Sequence, residues 1–318
     1  MWDLVAGFEA ERGHLTAVAY RMLGSRSEAE DAVQETWLRY ANAFADPAYR
    51  AEIRELRAWL TTTTARICLD VLRSARVRRE TYPGQWLPEP VVSRLLAGAG
   101  TPDGFAPDPA ERVAQTDEVG LALLVVLEQL TPEQRVAFVL HDVFATPFAE
   151  IASVLGTTPA AARQLASRAR RTVSDPGAPR HTADPAEQRR VIEAFRRAAE
   201  NGDLAGLLAV LAPGVVLVGD SGGHFPSARR PVLGADRVAR FWIGVTRPSP
   251  RTGRDERWYR PVLVNGSVGL LAETVHRDGR LWRSVVAFTI DGGRITHVYQ
   301  QSNPDKLSGV ARLADLDR

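Results

Sequence analysis

Apolar residues recur with a helical period through the first half of the chain and with a strand-like period toward its C-terminus. Val33, Trp37, Tyr40 and Phe44 fall at i, i+4, i+7 and i+11, one stripe on a helix running to about Phe44. Ser27 followed by Glu30 has the spacing of a capping box, which predicts the start of that helix. A second helix is predicted from about Arg54 to Arg79, with Leu56, Leu60, Ile67 and Leu72 inward. Its Thr61–Thr64 run has poor intrinsic propensity, so packing must hold it.

Thr-Pro occurs at 131–132, 146–147 and 158–159, each time just before a helical pattern. Thr is a good N-cap and Pro suits the first helical position, so three helix starts are predicted, with Gln134 completing a capping box at the first. Leu155-Gly156-Thr157 joins the second and third helices closely enough for a helix-turn-helix. On the third, Ala162, Leu165, Ala169 and Val173 form the inward stripe. Ala160, Arg163, Gln164, Ser167, Arg168 and Arg171 take the opposite face.

Beyond residue 187 the period changes. A helix near 187–201, the apolar run Val215–Val218 and a helix over about 234–245 precede strand-like segments near 257–264, 268–276, 280–290 and 294–301. Asn265-Gly266, Asp278-Gly279 and Asp291-Gly292-Gly293 separate them, and such dipeptides suit hairpins that need positive φ. Helices followed by a curved antiparallel meander predict an α+β cone. Two Pro/Gly-rich stretches divide the chain, giving units at 1–80, 111–173 and 187–318 with a flexible connector at 81–110 and a linker at 174–186. The expected architecture is two all-α domains and one α+β domain.

Charge sharpens this layout. The 318 residues carry a net +2, which hides a mosaic: zero over 1–80, −7 over 81–157, +3 over 158–186 and +6 over 187–318. Arginines gather at 66–79 and 163–171. The single cysteine, Cys68, excludes an intrachain disulfide framework and a Cys-based zinc cluster, and no metal or cofactor is expected. No apolar run is long enough to span a membrane, so a cytoplasmic protein without a membrane partner is expected.

The exposed face of the third helix has small residues near its start and long donors further along. Such a face enters a major groove, with Arg and Gln reading base edges. On the second N-terminal helix Arg66, Arg73, Arg76, Arg78 and Arg79 lie between Trp59 and Tyr82, a pattern suited to backbone neutralisation and base stacking on separated strands. Glu28, Asp31 and Glu35, with Gln34 alongside, form an acidic face fit to dock a basic protein surface.

In this order the features resemble the extracytoplasmic-function (ECF) sigma factors of bacterial RNA polymerase. Asp31-Ala-Val-Gln-Glu-Thr-Trp-Leu38 is similar to the family's core-polymerase-binding helix, which implies that role for Asp31, Gln34 and Glu35. Leu56-Arg-Ala-Trp-Leu60 through Arg66 and Asp70-Val-Leu-Arg73 resemble the segment that melts and reads the minus-ten element, implying contacts from Trp59, Arg66, Arg73 and Arg76. Leu130-Thr-Pro-Glu-Gln-Arg135, Phe148–Gly156 and Ser167-Arg-Ala-Arg170 resemble the domain that reads the minus-thirty-five element. The resemblance implies two partners, core RNA polymerase and promoter DNA, with one copy of the chain per polymerase and hence a monomer.

Trp86-Leu-Pro-Glu-Pro90 and Asn303-Pro-Asp-Lys-Leu307 are similar to signatures of the SigJ-type subfamily with a fused SnoaL-like domain. That domain has the NTF2-like cone fold. The subfamily's glycine motif has an approximate counterpart in Asp220-Ser-Gly-Gly-His224, where His replaces the motif's lysine. The resemblance implies cis-regulation through Trp86, Leu87, Pro88, Asp220, Gly222, Gly223, Asn303, Pro304, Asp305, Lys306 and Leu307. Two other readings stand beside it. One is a SnoaL-like enzyme or ligand-binding domain fused to a DNA-binding module, with Asp220, His224, His276 and His297 as its acid–base groups and a small molecule as its ligand. The other is a one-component, ligand-responsive helix-turn-helix regulator, which has no need of the Asp31–Leu38 helix.

Overall fold

The computed structural model describes residues 4–45, 55–79, 82–95, 120–174, 183–224, 227–246, 254–276 and 281–313. Among the described residues, three long helices come first: α1 (Leu4–Leu23), α2 (Arg26–Ala45) and α3 (Leu56–Arg79). Phe8, Tyr40, Trp37, Phe44 and Trp59 pack as an aromatic cluster, with Tyr40 fully buried at its centre. The threonine run of α3 is held as its weak propensity requires. Thr63 and Thr64 donate to the carbonyls one turn back, and Thr64 meets Thr36 of α2 at 2.9 Å. Helix α2 opens two residues earlier than the spacing predicts, with Ser25 in place of Ser27 at its start, accepting the Glu28 amide.

Four shorter helices follow: α4 (Leu121–Leu127), α5 (Pro132–Phe138), α6 (Phe148–Leu155) and α7 (Pro159–Val173). Thr131 and Gln134 form the reciprocal capping box of α5, and Thr158 caps α7 through the Ala161 amide. Gly156, in the left-handed conformation at φ 63°, makes the turn between α6 and α7. Thr146 does not cap α6; Pro147 takes the N-cap position. Upstream, α5 runs into a π-helical turn at Val139–Val143, and the Thr146 amide donates to the Leu140 carbonyl. The buried stripe of α7 is Ala162, Ala166 and Ala169, while Leu165 and Val173 are only half-buried. Small side chains let α7 lie close to its neighbours.

Helices α1–α3 and α5–α7 belong to one compact unit, and a second unit holds the remainder from residue 183 together with Tyr82–Leu95. The boundary therefore differs from the connector expected at 81–110. Val92–Ser93 form a short strand, β1, paired with the C-terminal sheet, and Val91 and Asn265 exchange hydrogen bonds beside it. Residues 96–110 of that expected connector lie outside the described set.

The second unit opens with α8 (Pro185–Asn201), capped by Asp184, so the expected linker at 174–186 ends a few residues early. Then come α9 (Leu204–Val210), β2 (Leu211–Asp220), β3 (Val232–Leu233), α10 (Ala235–Thr246), β4 (Arg254–Val264), β5 (Ser267–His276), β6 (Leu281–Asp291) and β7 (Arg294–Gln301). The sheet order is β1-β4-β5-β6-β7-β2-β3, antiparallel except where β2 lies parallel to β7. Asn265 and Gly266 both adopt positive φ in the β4–β5 hairpin, as their types predict. Phe195, Trp242 and Phe288 fill the space between the helices and the sheet. This is the expected α+β domain, a mixed sheet packed against helices α8–α10, called the cone below.

Candidate nucleic-acid interface and linker clasp

Helix α7 leaves Ala160, Arg163, Gln164, Arg168 and Arg171 exposed and Ser167 half-exposed, all on one face. Its position is fixed from behind. Arg170, on the flank, donates to Asp142 Oδ1 at 2.5 Å. Arg163 places its guanidinium 5.1 Å from the centre of the Phe148 ring on α6. On α2, Asp31 and Gln34 are exposed and Glu35 is half-exposed, with Glu35 paired to Arg39 at 2.8 Å.

The α3 arginines are placed differently. Arg66 donates to both the carbonyl and the hydroxyl of Ser153 on α6, each at 2.9 Å. Arg73 forks onto Glu133 of α5 at 3.1 and 3.2 Å. Arg76 is on α3, but its side chain is outside the described set. Trp59 is half-buried 6.0 Å from Tyr40 and serves the aromatic core, a use its position in the sequence did not show.

A buried arginine ties these helices together. Arg135 of α5 is 2% exposed. It donates to the Met22 carbonyl at the end of α1, to the Leu127 carbonyl of α4 and to Glu128 Oε1. Burial pulls its pKa down to about 9, so it still carries its charge near neutrality. Phe144 adds an aromatic contact to α1, edge-on to His14 at 5.2 Å and under the Arg21 guanidinium at 5.1 Å.

In the second unit, sequence-distant motifs converge on one carboxylate. Strands β2 and β7 run parallel with Asp220 and Gln301 in register, so both end at the same edge of the cone. Asp220 Oδ1 accepts from the Tyr82 hydroxyl at 2.6 Å and the Gly222 amide at 3.0 Å. Its Oδ2 accepts from Lys306 Nζ at 2.7 Å, the Leu87 amide at 2.9 Å and Gln301 at 3.3 Å. Lys306 also donates to the Leu87 carbonyl and lies 4.0 Å from the Trp86 ring centre and 4.8 Å from that of Tyr82. Burial, reinforced by the bond to Asp220, holds the Tyr82 phenol well above its usual pKa, so it remains a donor. Leu87 and Pro88 are buried, and Gln301 donates to both their carbonyls.

Asn303 closes the arrangement. It caps a 3-10 turn, Pro304–Lys306, through the Asp305 amide and donates to the Tyr82 hydroxyl at 2.9 Å. Pro304 and Asp305 face outward, Asp305 pairs with His224 at 3.2 Å, and Leu307 is buried. Gly222 has φ +59°, and a Cβ there would lie 2.5 Å from the Asn303 side-chain amide. Gly223, at φ +82°, leaves room for Pro83, whose ring would meet a Cβ at 3.1 Å. Gly222→Ala is therefore expected to cost about 1–3 kcal/mol in backbone strain alone. Thermal melting of the full chain checks this.

Among the described side chains, the acid–base groups weighed from sequence are not gathered. Asp220 is saturated by five donors, and His224 is exposed beside Asp305. His297 is half-buried and stacked on Tyr299 at 5.9 Å, and burial lowers its pKa. The side chain of His276 is outside the described set.

Residues 8–78 match the model of sigma-70 region 2, and residues 120–173 match that of sigma-70 region 4. The chain is 44% identical over 96% of its length to the ECF RNA polymerase sigma factor SigJ of Mycobacterium tuberculosis, covering 93% of that protein. The chain belongs to the ECF sigma factors. This sigma factor is also 37% identical to the probable ECF sigma factor SigI of the same species, over 95% of its length and 94% of the relative. The crystal structure of M. tuberculosis SigJ is similar at a TM-score of 0.72 and 41% identity, covering 96% of this chain and 98% of that one. It is an alternative sigma factor, and its region 2 and region 4 domains imply core RNA polymerase and promoter DNA as partners. Among the described residues no helix is long and apolar enough to cross a membrane.

Proposed function

We propose that region 2 of this sigma factor docks on core polymerase through Asp31, Gln34 and Glu35 of α2, while α7 reads the upstream promoter element. Arg163 and Gln164 take base edges, and Arg168 and Arg171 grip phosphates, with Ala160 and Ser167 allowing close approach. Arg66, Arg73 and Arg76 then track the separated strand of the downstream element. The polymerase makes the bonds, one copy of the sigma factor serves each enzyme, and no small ligand is needed for these steps.

The C-terminal domain acts in cis, and the observation that carries this is the clasp. Tyr82, Trp86 and Leu87, from the stretch joining region 2 to region 4, are fastened to Asp220, Gln301, Asn303 and Lys306 of the cone. Whatever loosens the clasp lengthens the chain available between the two DNA-reading regions. Promoter-specific run-off transcription with core polymerase tests the reading, comparing the full chain with Lys306→Met and with a chain lacking 303–318. Output changed several-fold in both supports it, and output equal to wild type in both overturns it.

The geometry adds an order of events. Arg66 and Arg73 are held by Ser153 and Glu133 of region 4 while the reading face of α7 stays exposed. Region 4 must leave before region 2 engages a strand. The Arg73–Glu133 pair is half-exposed and worth no more than about 1 kcal/mol. Glu133→Gln is accordingly expected to tighten binding of a fluorescent single-stranded oligonucleotide by roughly two- to fivefold. Glu150→Gln makes the same change in charge on region 4 and should leave binding where it was.

A further inference from the structure

We propose that Phe148 is a positioning residue for promoter recognition, holding the Arg163 guanidinium in the orientation that reads one base pair of the upstream element. The inference deepens the reading of α7 given above and rests on it. Arg163 is exposed and long, and an unrestrained side chain of that kind loses several rotamers when it docks on a base edge. Here its guanidinium already lies 5.1 Å from the Phe148 ring centre, at cation–π distance. A pre-oriented donor fork meets a guanine edge with less ordering left to do.

The ring itself is held. His141 packs on it with centroids 4.0 Å apart, and His141 Nδ1 lies 3.3 Å from the Thr146 carbonyl. Both His141 and its neighbour Asp142 lie in the π-helical turn Val139–Val143. Such turns insert one extra residue and re-aim side chains, and they recur at functional sites. In this protein the turn sets His141 against Phe148 and Asp142 against Arg170, two supports under the same helix. An ordinary α-helical turn has one residue fewer and would displace that pair.

The test uses the full chain reconstituted with core RNA polymerase and duplexes randomised over the upstream element. Wild type should select a motif, and Arg163→Ala should erase the preference at one base pair. Phe148→Leu keeps apolar bulk but removes the ring. It should lower discrimination at that same base pair by about three- to tenfold, leave affinity for an unrelated duplex unchanged and leave the melting temperature near wild type. Phe148→Tyr should restore discrimination. In the Arg163→Ala background Phe148→Leu should have no further effect at that position, the signature of a residue acting through another.

If no motif is selected, or Arg163→Ala leaves the motif intact, the reading of α7 fails and this proposal with it. If Arg163→Ala erases the preference while Phe148→Leu keeps it, the reading stands and the positioning role is overturned. A uniform loss at every base pair in Phe148→Leu also overturns it, because that outcome marks a purely structural residue.

Discussion

Lys306→Met is expected to raise hydrogen exchange at the Leu87 amide by about a hundredfold. Asp220 and Lys306 are both buried, with side-chain exposures of 0% and 10%. Removing one partner of a buried pair costs roughly 3–5 kcal/mol, because the remaining charge keeps its desolvation penalty. Four neutral donors remain on Asp220 and offset part of that cost, which leaves about 3 kcal/mol, or two decades in an opening equilibrium. The Leu87 amide donates directly to Asp220, so its exchange reports the opening of the clasp. The double variant Asp220→Asn/Lys306→Met should cost less than the sum of the two single changes, since neither charge is then stranded.

The composition supplies an independent probe of the same event. Of the 40 basic Lys and Arg residues, Lys306 is the only lysine. A compact ammonium suits this cage, with two oxygens below 3 Å and two aromatic rings beside it, where a planar guanidinium would not. An amine-reactive label can therefore modify only Lys306 and the N-terminus. Asp220→Asn should accelerate labelling at Lys306 by at least tenfold. Unchanged exchange at Leu87 together with unchanged labelling would show that the clasp is not held by this pair.

How much of this was legible in the sequence varies with how local the signal is. The capping box at Thr131, the Gly156 turn and the Asn265-Gly266 hairpin are each fixed by a few adjacent residues, and each is where the pattern puts it. Helix α1 was not among the predicted elements, although Phe8, Leu15 and Met22 recur every seven residues and are all fully buried. Other features depend on distant partners. Val92–Ser93 becomes a strand only because β4 offers an edge, so proline and glycine around it mark irregular chain and nothing more. Thr146-Pro147 has the composition of a helix start, but the chain enters α6 from a π-helical turn and Pro147, one residue later, holds the N-cap position.

The clasp shows the same division. Trp86–Pro88, Asp220 and Asn303–Leu307 were picked out as motifs, and the cone brings them together because β2 and β7 end side by side. Tyr82 and Gln301 join them without any local signal. The sequence sets Tyr82 just after the arginine track, whereas its hydroxyl donates to Asp220. Trp59, a base-stacking candidate in the sequence, is half-buried and packs 6.0 Å from Tyr40. An aromatic beside arginines looks alike in the sequence whether it stacks on a base or on a neighbouring ring.

Freeing region 2 from region 4 should produce the second large effect. The exposed contacts of Arg66 and Arg73 are individually weak, whereas Arg135 of region 4 is buried and donates to the Met22 carbonyl of region 2. Replacing Arg135 alone would strand Glu128, which is 14% exposed, and would confuse loosening with unfolding. The double change Arg135→Met/Glu128→Gln removes one positive and one negative charge, so the net charge is unaltered. It leaves the Thr131–Gln134 capping box intact and takes the donor away from the Met22 carbonyl. If the closed form hides the arginine track, apparent affinity for a strand equals intrinsic affinity scaled by the open fraction. Loss of about 1.4 kcal/mol of closure then tightens binding of a fluorescent single-stranded oligonucleotide about tenfold. Adding Arg66→Ala to the double variant should remove most of that gain, because the freed guanidinium is what the strand meets. Binding that stays at the wild-type level, in a variant whose helical content is unchanged, would mean that region 4 does not restrain these arginines.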